Sequence, residues 1–183
     1  LPLFGEFIVS NALASSAAAH VLGIGLDKVK SGLSSFKISD HRMRVINFSK
    51  NITIIDDSYN NNPGAARAVL NAYKQISSKG YKVVIFGDML ELGDIEKEAH
   101  QEIGGLLGKM KLDYLVGVGQ ASRHLVDRAA KNMKRGSYFW CKSETKVADL
   151  IYPNIRANTM ILIKGSRSVG LEKVVSQLSE RLS

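Results

Sequence analysis

The chain has 183 residues, 45% hydrophobic and 23% charged, the balance of a soluble globular protein with an ordinary apolar core and no need of metal or disulfide staples. No run approaches the roughly 18 consecutive apolar residues of a membrane span, and the single cysteine, Cys141, has no intramolecular partner, which fits a reducing compartment. The formal charge of +8 is scattered in loose groups, Lys28 to Arg44 and Lys131 to Arg135, with acidic residues between them, so small anionic ligands such as nucleotides fit better than a nucleic-acid footprint.

The opening, Leu1-Pro2-Leu3-Phe4-Gly5, has no initiator methionine and neither the basic region nor the cleavage pattern of a signal peptide; it reads as a chain cut from something longer. Ser10 to Leu22 is almost wholly alanine, serine and leucine, which predicts a buried, closely packed helix closed by Gly23 and Gly25. Leu26, Val29 and Leu33 have the spacing of a second short amphipathic helix, completing a helical hairpin. A domain boundary is expected near residues 35 to 41, giving domains of 1–36 and 37–183. Beyond it, Arg44 to Phe48 and Asn51 to Ile55 are β-type runs separated by Ser49-Lys50, a pair suited to a tight turn.

The remainder alternates. A helix is expected over Gly64 to Ser77, a strand over Lys82 to Phe86, a helix over Ile95 to Met110 and a strand over Tyr114 to Val118. There follow a helix over Ser122 to Asn132, a strand over Ser137 to Trp140, a helix over Glu144 to Ile155, a strand over Thr159 to Lys164 and a helix over Leu171 to Leu182. This alternation predicts an α/β, doubly wound, mostly parallel sheet with helices on both faces, preceded by the short helical segment. Ligands of such sheets sit beyond the carboxyl ends of the strands.

Three polar strings fall at those ends. In Asp56-Asp57-Ser58-Tyr59-Asn60-Asn61-Asn62-Pro63, helix capping explains Asn62 and Pro63. It leaves two adjacent carboxylates and a tyrosine, a set able to meet a ribose and a base. Lys164-Gly165-Ser166-Arg167 stands between an apolar strand and a helix and suits an anion, although a glycine turn with two solvated cations would read the same way. In Gly87-Asp88-Met89-Leu90-Glu91-Leu92-Gly93 the two carboxylates suit an amine, or Asp88 simply caps a turn; no third ligand argues for a metal. The four histidines have no metal-ligand spacing and are expected to be structural or superficial, and Gly117-Val118-Gly119 lacks the third glycine of a dinucleotide fingerprint. No Gly-x-x-x-x-Gly-Lys-Ser/Thr string is present.

In this order and at these places, DDSYNNNP (56–63), GDMLELG (87–93) and KGSRSVGLE (164–172) resemble the C-terminal, Rossmann-like domain of the Mur ligase family, within it the type that adds D-alanyl-D-alanine to UDP-N-acetylmuramoyl-tripeptide. SNALASSAAA (10–19) is similar to the last helices of that family's central ATP-binding domain. The resemblance implies part of an ATP-dependent, ADP-forming amide ligase of peptidoglycan synthesis, serving cell shape and division in the bacterial cytoplasm. ATP and Mg2+ would be held mostly by residues outside this chain, which on its own is expected to be inactive, with the N-terminal and central domains as partners. It also implies roles residue by residue. Arg42 would reach the ATP phosphates and Tyr59 the nucleotide or acyl phosphate. Asn11 would approach the adenine and Asp57 the ribose, with Asn60 and Asn62 shaping the loop. Asp88, Glu91, Lys164, Ser166 and Arg167 would face the acceptor dipeptide. There are two departures: Gly5-Glu6-Phe7-Ile8 replaces a Gly-x-His-Asn string, and His41 stands where the family has glycine before the arginine. A noncatalytic nucleotide- or peptide-binding domain of the same fold, or a sibling ligase with another amino-acid substrate, remains open at this level.

Overall fold

The computed structural model describes residues 7–37, 39–75 and 80–183. It divides into two compact units, Leu1–Ser39 and Asp40–Ser183. The first is the helical hairpin: α1 (Phe7–Val21) and α2 (Leu26–Ser34), joined through Gly23 with φ +74. The helices form where local propensity puts them, and within this chain the first helix, expected to be buried, is largely exposed. Leu13 is 65% and Val21 85% exposed, and α2 has no buried residue. Alanine and serine are spread around the whole of α1, so it has no apolar stripe to turn inward, and two short helices cannot enclose a core between them. Gly5 and Glu6, half of the departure at the chain start, lie outside the described residues.

The second unit is the α/β domain, a six-stranded sheet with helices on both faces. An antiparallel hairpin, β1 (Arg44–Phe48) and β2 (Ile52–Asp57), turns through Lys50 and Asn51 at positive φ. Then come α3 (Pro63–Gln75), β3 (Lys82–Gly87), α4 (Glu96–Gly108), β4 (Tyr114–Val118), α5 (Ser122–Ala129), β5 (Tyr138–Cys141), α6 (Val147–Ile151), β6 (Met160–Lys164) and α7 (Leu171–Leu182). Helix α3 ends at Gln75; the predicted extension to Ser77 runs into residues outside the description. The predicted helix over Glu144 to Ile155 is shorter, with 3-10 turns on either side of α6, the second containing Pro153, whose missing N–H cannot continue an α-helix.

The strand order is β1-β2-β6-β3-β4-β5, with every pairing parallel except β1 with β2. The last strand thus returns between β2 and β3, and the loops after β2, β6 and β3 are neighbours. Strands covered on both faces are continuously apolar: Val83 to Phe86 and Ile161 to Ile163 are wholly buried. Ile54, Val83, Ile85, Ile161 and Ile163 pack under α6 and α7. The alternate residues Ile55, Val84, Phe86, Leu115 and Leu162 point the other way and are equally buried. Cys141 is half-buried, and burial pushes its thiol pKa up, away from reactivity. Among the described residues no helix is long and apolar enough to cross a membrane.

Helices α4 and α5 approach through glycine. A β-carbon on Gly104 would stand 2.2 Å from the Leu125 carbonyl oxygen. Alanine is favoured over glycine in a helix by about 1 kcal/mol, but here the clash must win. Gly104→Ala is expected to destabilise by about 2–3 kcal/mol in denaturant unfolding. A second expectation concerns pH. The hydrogen bond from Lys173 on α7 holds the Glu144 carboxyl below the usual glutamate range and raises the Lys173 pKa in turn. A lowered acid contributes stability above its unfolded pKa and loses it as pH falls through the folded value; a raised lysine contributes below its unfolded pKa and loses it as pH rises through the folded value. The melting temperature of Glu144→Gln should therefore lie below that of the parent at neutral pH, and the gap should close as the pH falls below the ordinary glutamate range.

Candidate functional site

Strand β2 runs two residues further than expected because its parallel pairing with β6 continues to Asp56↔Ile163 and Asp57↔Lys164. Both aspartates are therefore strand residues, and the pleat sends them to opposite faces. Asp56 is fully buried; its Oδ1 accepts from the Ser58 amide and hydroxyl (3.2 and 2.6 Å), and its Oδ2 lies 2.7 Å from His41 Nδ1. Asp57 accepts from the Met43 amide (3.2 Å) and from Lys164 Nζ (2.7 Å). Lys164 is 1% exposed and also donates to the Asn60 carbonyl at 2.9 Å. The two residues read as facing different ligands thus form one buried ion pair that ties the ends of β2 and β6 to the loop after β2.

Asn62 Oδ1 caps α3 by accepting from the Ala65 amide at 2.8 Å, with Pro63 opening the helix. Asn61 is 2% exposed and donates to the Gly87 carbonyl at 3.0 Å, tying this loop to β3. Asp88 turns toward α5 and accepts from the Ser122 and Ala121 amides (2.6 and 3.3 Å) at that helix's N-terminus. Asp88 thus caps a distant helix start rather than a turn of its own loop. Gly119, φ +109, gives the carboxylate room, since a β-carbon there would stand 2.3 Å from Asp88 Oδ2. His100 is buried and structural: its Nε2 accepts from the Met89 amide and its Nδ1 donates to the Glu96 carbonyl, shaping the turn that presents Leu90 and Glu91.

Above this buried layer is an open cleft of about 540 Å³ lined by Tyr59, Asn60, Leu90, Glu91, Ser166 and Arg167, with Asn61, Ser168 and Glu172. It sits on the loops after the three central strands, where a doubly wound sheet puts its ligands. Ser166 Oγ accepts from the Leu90 amide at 3.2 Å, joining two of those loops. Tyr59 is the centrepiece. It is 37% exposed, and the guanidinium carbons of Arg42 and Arg167 lie 4.3 and 5.4 Å from its ring centroid. Two cations held on one aromatic ring form a positive locus, and Glu91 and Glu172 supply negative charge in the same cleft.

Of the residues singled out in the sequence, then, Tyr59, Asn60, Glu91, Ser166 and Arg167 line the cleft, and Arg42 stacks on Tyr59. Asp57 and Lys164 lie in the paired layer, Asn62 and Asp88 at helix starts. Asn11 is exposed on α1 in the other unit, and its approach to adenine stays an expectation of the resemblance. Sequence reasoning missed Leu90, Ser168, Glu172 and His41. Glu172 was legible in principle, since it closes the KGSRSVGLE string; His41 carried no signal beyond its replacement of a glycine. Among the described residues no group of three or more His, Cys, Asp or Glu could hold a metal ion.

A family profile described as "Mur ligase, glutamate ligase domain" matches residues 41–167. The UDP-N-acetylmuramoyl-tripeptide--D-alanyl-D-alanine ligase of Escherichia coli (strain K12) is 34% identical over 182 residues, covering 98% of this chain and 38% of the relative. A crystal structure of MurF from Acinetobacter baumannii superposes with a TM-score of 0.84 at 30% identity, covering 98% of this chain and 39% of that one. MurF ligase from Thermotoga maritima in complex with ADP gives 0.76 at 26% identity, with the same coverage. The chain thus spans about two fifths of the length of the relatives it matches.

The buried pair makes a direct prediction. Lys164→Met strands the Asp57 carboxylate beneath the loop and should cost about 3–5 kcal/mol in denaturant unfolding. Adding Asp57→Asn should recover much of that loss, because the uncompensated charge is then gone.

Proposed function

The chain belongs to the Mur ligase family, and from that footing we propose that it is part of an ATP-dependent, ADP-forming ligase that joins D-alanyl-D-alanine to UDP-N-acetylmuramoyl-tripeptide in peptidoglycan synthesis, in the bacterial cytoplasm. The observation that carries this reading is the cleft: two guanidiniums on Tyr59 beside two carboxylates, Glu91 and Glu172, over a layer whose charges are already paired. A zwitterionic dipeptide has the complementary ends. Its carboxylate would meet Arg167, its ammonium Glu91 or Glu172, and Ser166 would hold the loop that presents them. Lys164 and Asp88 support this surface from below and beside it rather than touching the ligand.

ATP would supply the phosphoryl group that activates the precursor's terminal carboxylate for attack by the dipeptide amine. What this chain's residues contribute is position and charge. Arg42 would meet phosphate oxygens, with Tyr59 fixing its guanidinium, while Asp57, paired with Lys164 and the Met43 amide, would hold the loop that Asn60 and Asn62 shape. Fixed cations aimed where negative charge accumulates stabilise phosphoryl and tetrahedral species without rearranging during the reaction. Magnesium is implied by the resemblance, but among the described residues no group of three or more His, Cys, Asp or Glu could hold it. Activity, precursor binding and cell-wall assembly are functions of the longer protein.

Calorimetry on the chain tests the reading. D-alanyl-D-alanine should bind, and Arg167→Ala should weaken it by about tenfold to a hundredfold, the worth of a charge-assisted hydrogen bond. ADP should bind and weaken in Arg42→Ala. Dipeptide binding that is untouched by Arg167→Ala would remove the acceptor site from this cleft, and no binding of either ligand would remove both sites from this chain.

A further inference from the structure

Arg42 is held in place by an unusual piece of backbone. Its two neighbours, His41 and Met43, both have positive φ, 60° and 54°, the left-handed region that side chains with a β-carbon avoid. Such a conformation persists only where its surroundings over-determine it. Three hydrogen bonds do so here, all to the end of β2 and the residues just after it: His41 Nδ1 with Asp56 Oδ2 at 2.7 Å, the Tyr59 amide to the His41 carbonyl at 3.1 Å, and the Met43 amide to Asp57 Oδ1 at 3.2 Å. Two of the three run through His41. The Met43 side chain is buried, whereas Arg42, between them, points its guanidinium to the exposed Tyr59 ring.

The His41 contact does more than fill space. Asp56 is completely buried, and the Ser58 amide and hydroxyl serve only its Oδ1. His41 pairs with Oδ2, and a buried carboxylate oxygen without a donor is costly. The requirement that Asp56 be paired therefore pulls the imidazole inward, and the left-handed turn at His41 swings the next side chain outward over Tyr59.

We propose that His41 is a positioning residue for Arg42: its bond to the buried Asp56 locks the left-handed turn that stacks the Arg42 guanidinium on Tyr59, and so sets the spacing of the Arg42–Tyr59–Arg167 anion clamp. The consequence for ligand binding rests on the reading of Arg42 as a phosphate contact; the consequence for Arg42's own placement does not. The ligand class is a polyphosphate, for which inorganic tripolyphosphate serves as the probe.

The test uses the whole chain and three variants. His41→Gly adopts positive φ freely but removes the imidazole. His41→Gly with Asp56→Asn also removes the charge it would strand, which keeps the fold when the single variant does not. His41→Asn keeps both a tolerance for left-handed backbone and a side-chain donor for Asp56. The first readout is the NMR signal of the Arg42 side-chain N–H, assigned by its loss in Arg42→Lys and displaced by the Tyr59 ring current. The second is tripolyphosphate affinity. In the glycine variant and the double variant the Arg42 signal should move to the position of a free arginine and affinity should fall about tenfold; His41→Asn should restore both. An Arg42 signal that stays in place in the folded double variant overturns the proposal. If the signal moves while affinity is unchanged, and Arg42→Ala is equally without effect on affinity, His41 still positions Arg42 and the phosphate reading is what fails.

Discussion

The site depends on the buried ion pair between Lys164 and Asp57. It lies at the end of the β2–β6 pairing, the place where the chain's last strand is inserted between two earlier ones. A lysine this deeply buried is tolerable only with a carboxylate on it and its remaining donors used, and here it bonds Asp57 and the Asn60 carbonyl together. That requirement makes the loop after β2 follow a set path. Tyr59 is delivered to the surface with its backbone bonded to His41, and Asn62 reaches the helix start it caps. Strand pairing, loop path and helix entry are thus linked through two side chains.

A second constraint acts around it. The three loops that meet over the central strands come close because glycine stands where they touch. A β-carbon on Gly165 would be 2.8 Å from Leu171 and 3.3 Å from the Gly87 backbone, and one on Gly119 would strike the Asp88 carboxylate. Asp88, in turn, is the anion at the α5 N-terminus, a place that ligands take in other sheets of this kind. With that helix start occupied by the protein's own carboxylate, the open cleft is displaced toward the loops after β2 and β6. Charges inside the layer are paired, and those at the open cleft are Arg42 and Arg167 on the Tyr59 ring, with Glu91 and Glu172.

Much of the architecture was legible in the sequence. Strands such as Val83 to Phe86 and Ile161 to Ile163 are apolar without alternation because both faces are covered, and their boundaries came out within a residue or two. The three polar strings also marked the right end of the sheet. Individual roles were less legible. Asp57 and Lys164 lie 107 positions apart, and no local pattern announces that one neutralises the other. Helix α1 illustrates the opposite failure: its composition specified a helix but, lacking an apolar stripe, did not specify what would bury it.

What the sequence determined by itself was everything carried by short-range periodicity and local chemistry: the order of helices and strands, the cap formed by Asn62 and Pro63, the α/β class, and the resemblance borne by DDSYNNNP, GDMLELG and KGSRSVGLE. Only the tertiary structure decided which polar residues are free to act. Whether an aspartate meets a ligand or a lysine depends on strand order and on register, which brings Asp57 opposite Lys164 and turns Asp56 toward His41 on the other face. Whether an arginine is a solvated cation or half of a clamp depends on a backbone turn that places it over Tyr59. These are long-range pairings set by burial: a charge removed from water must find its partner wherever the fold has put one.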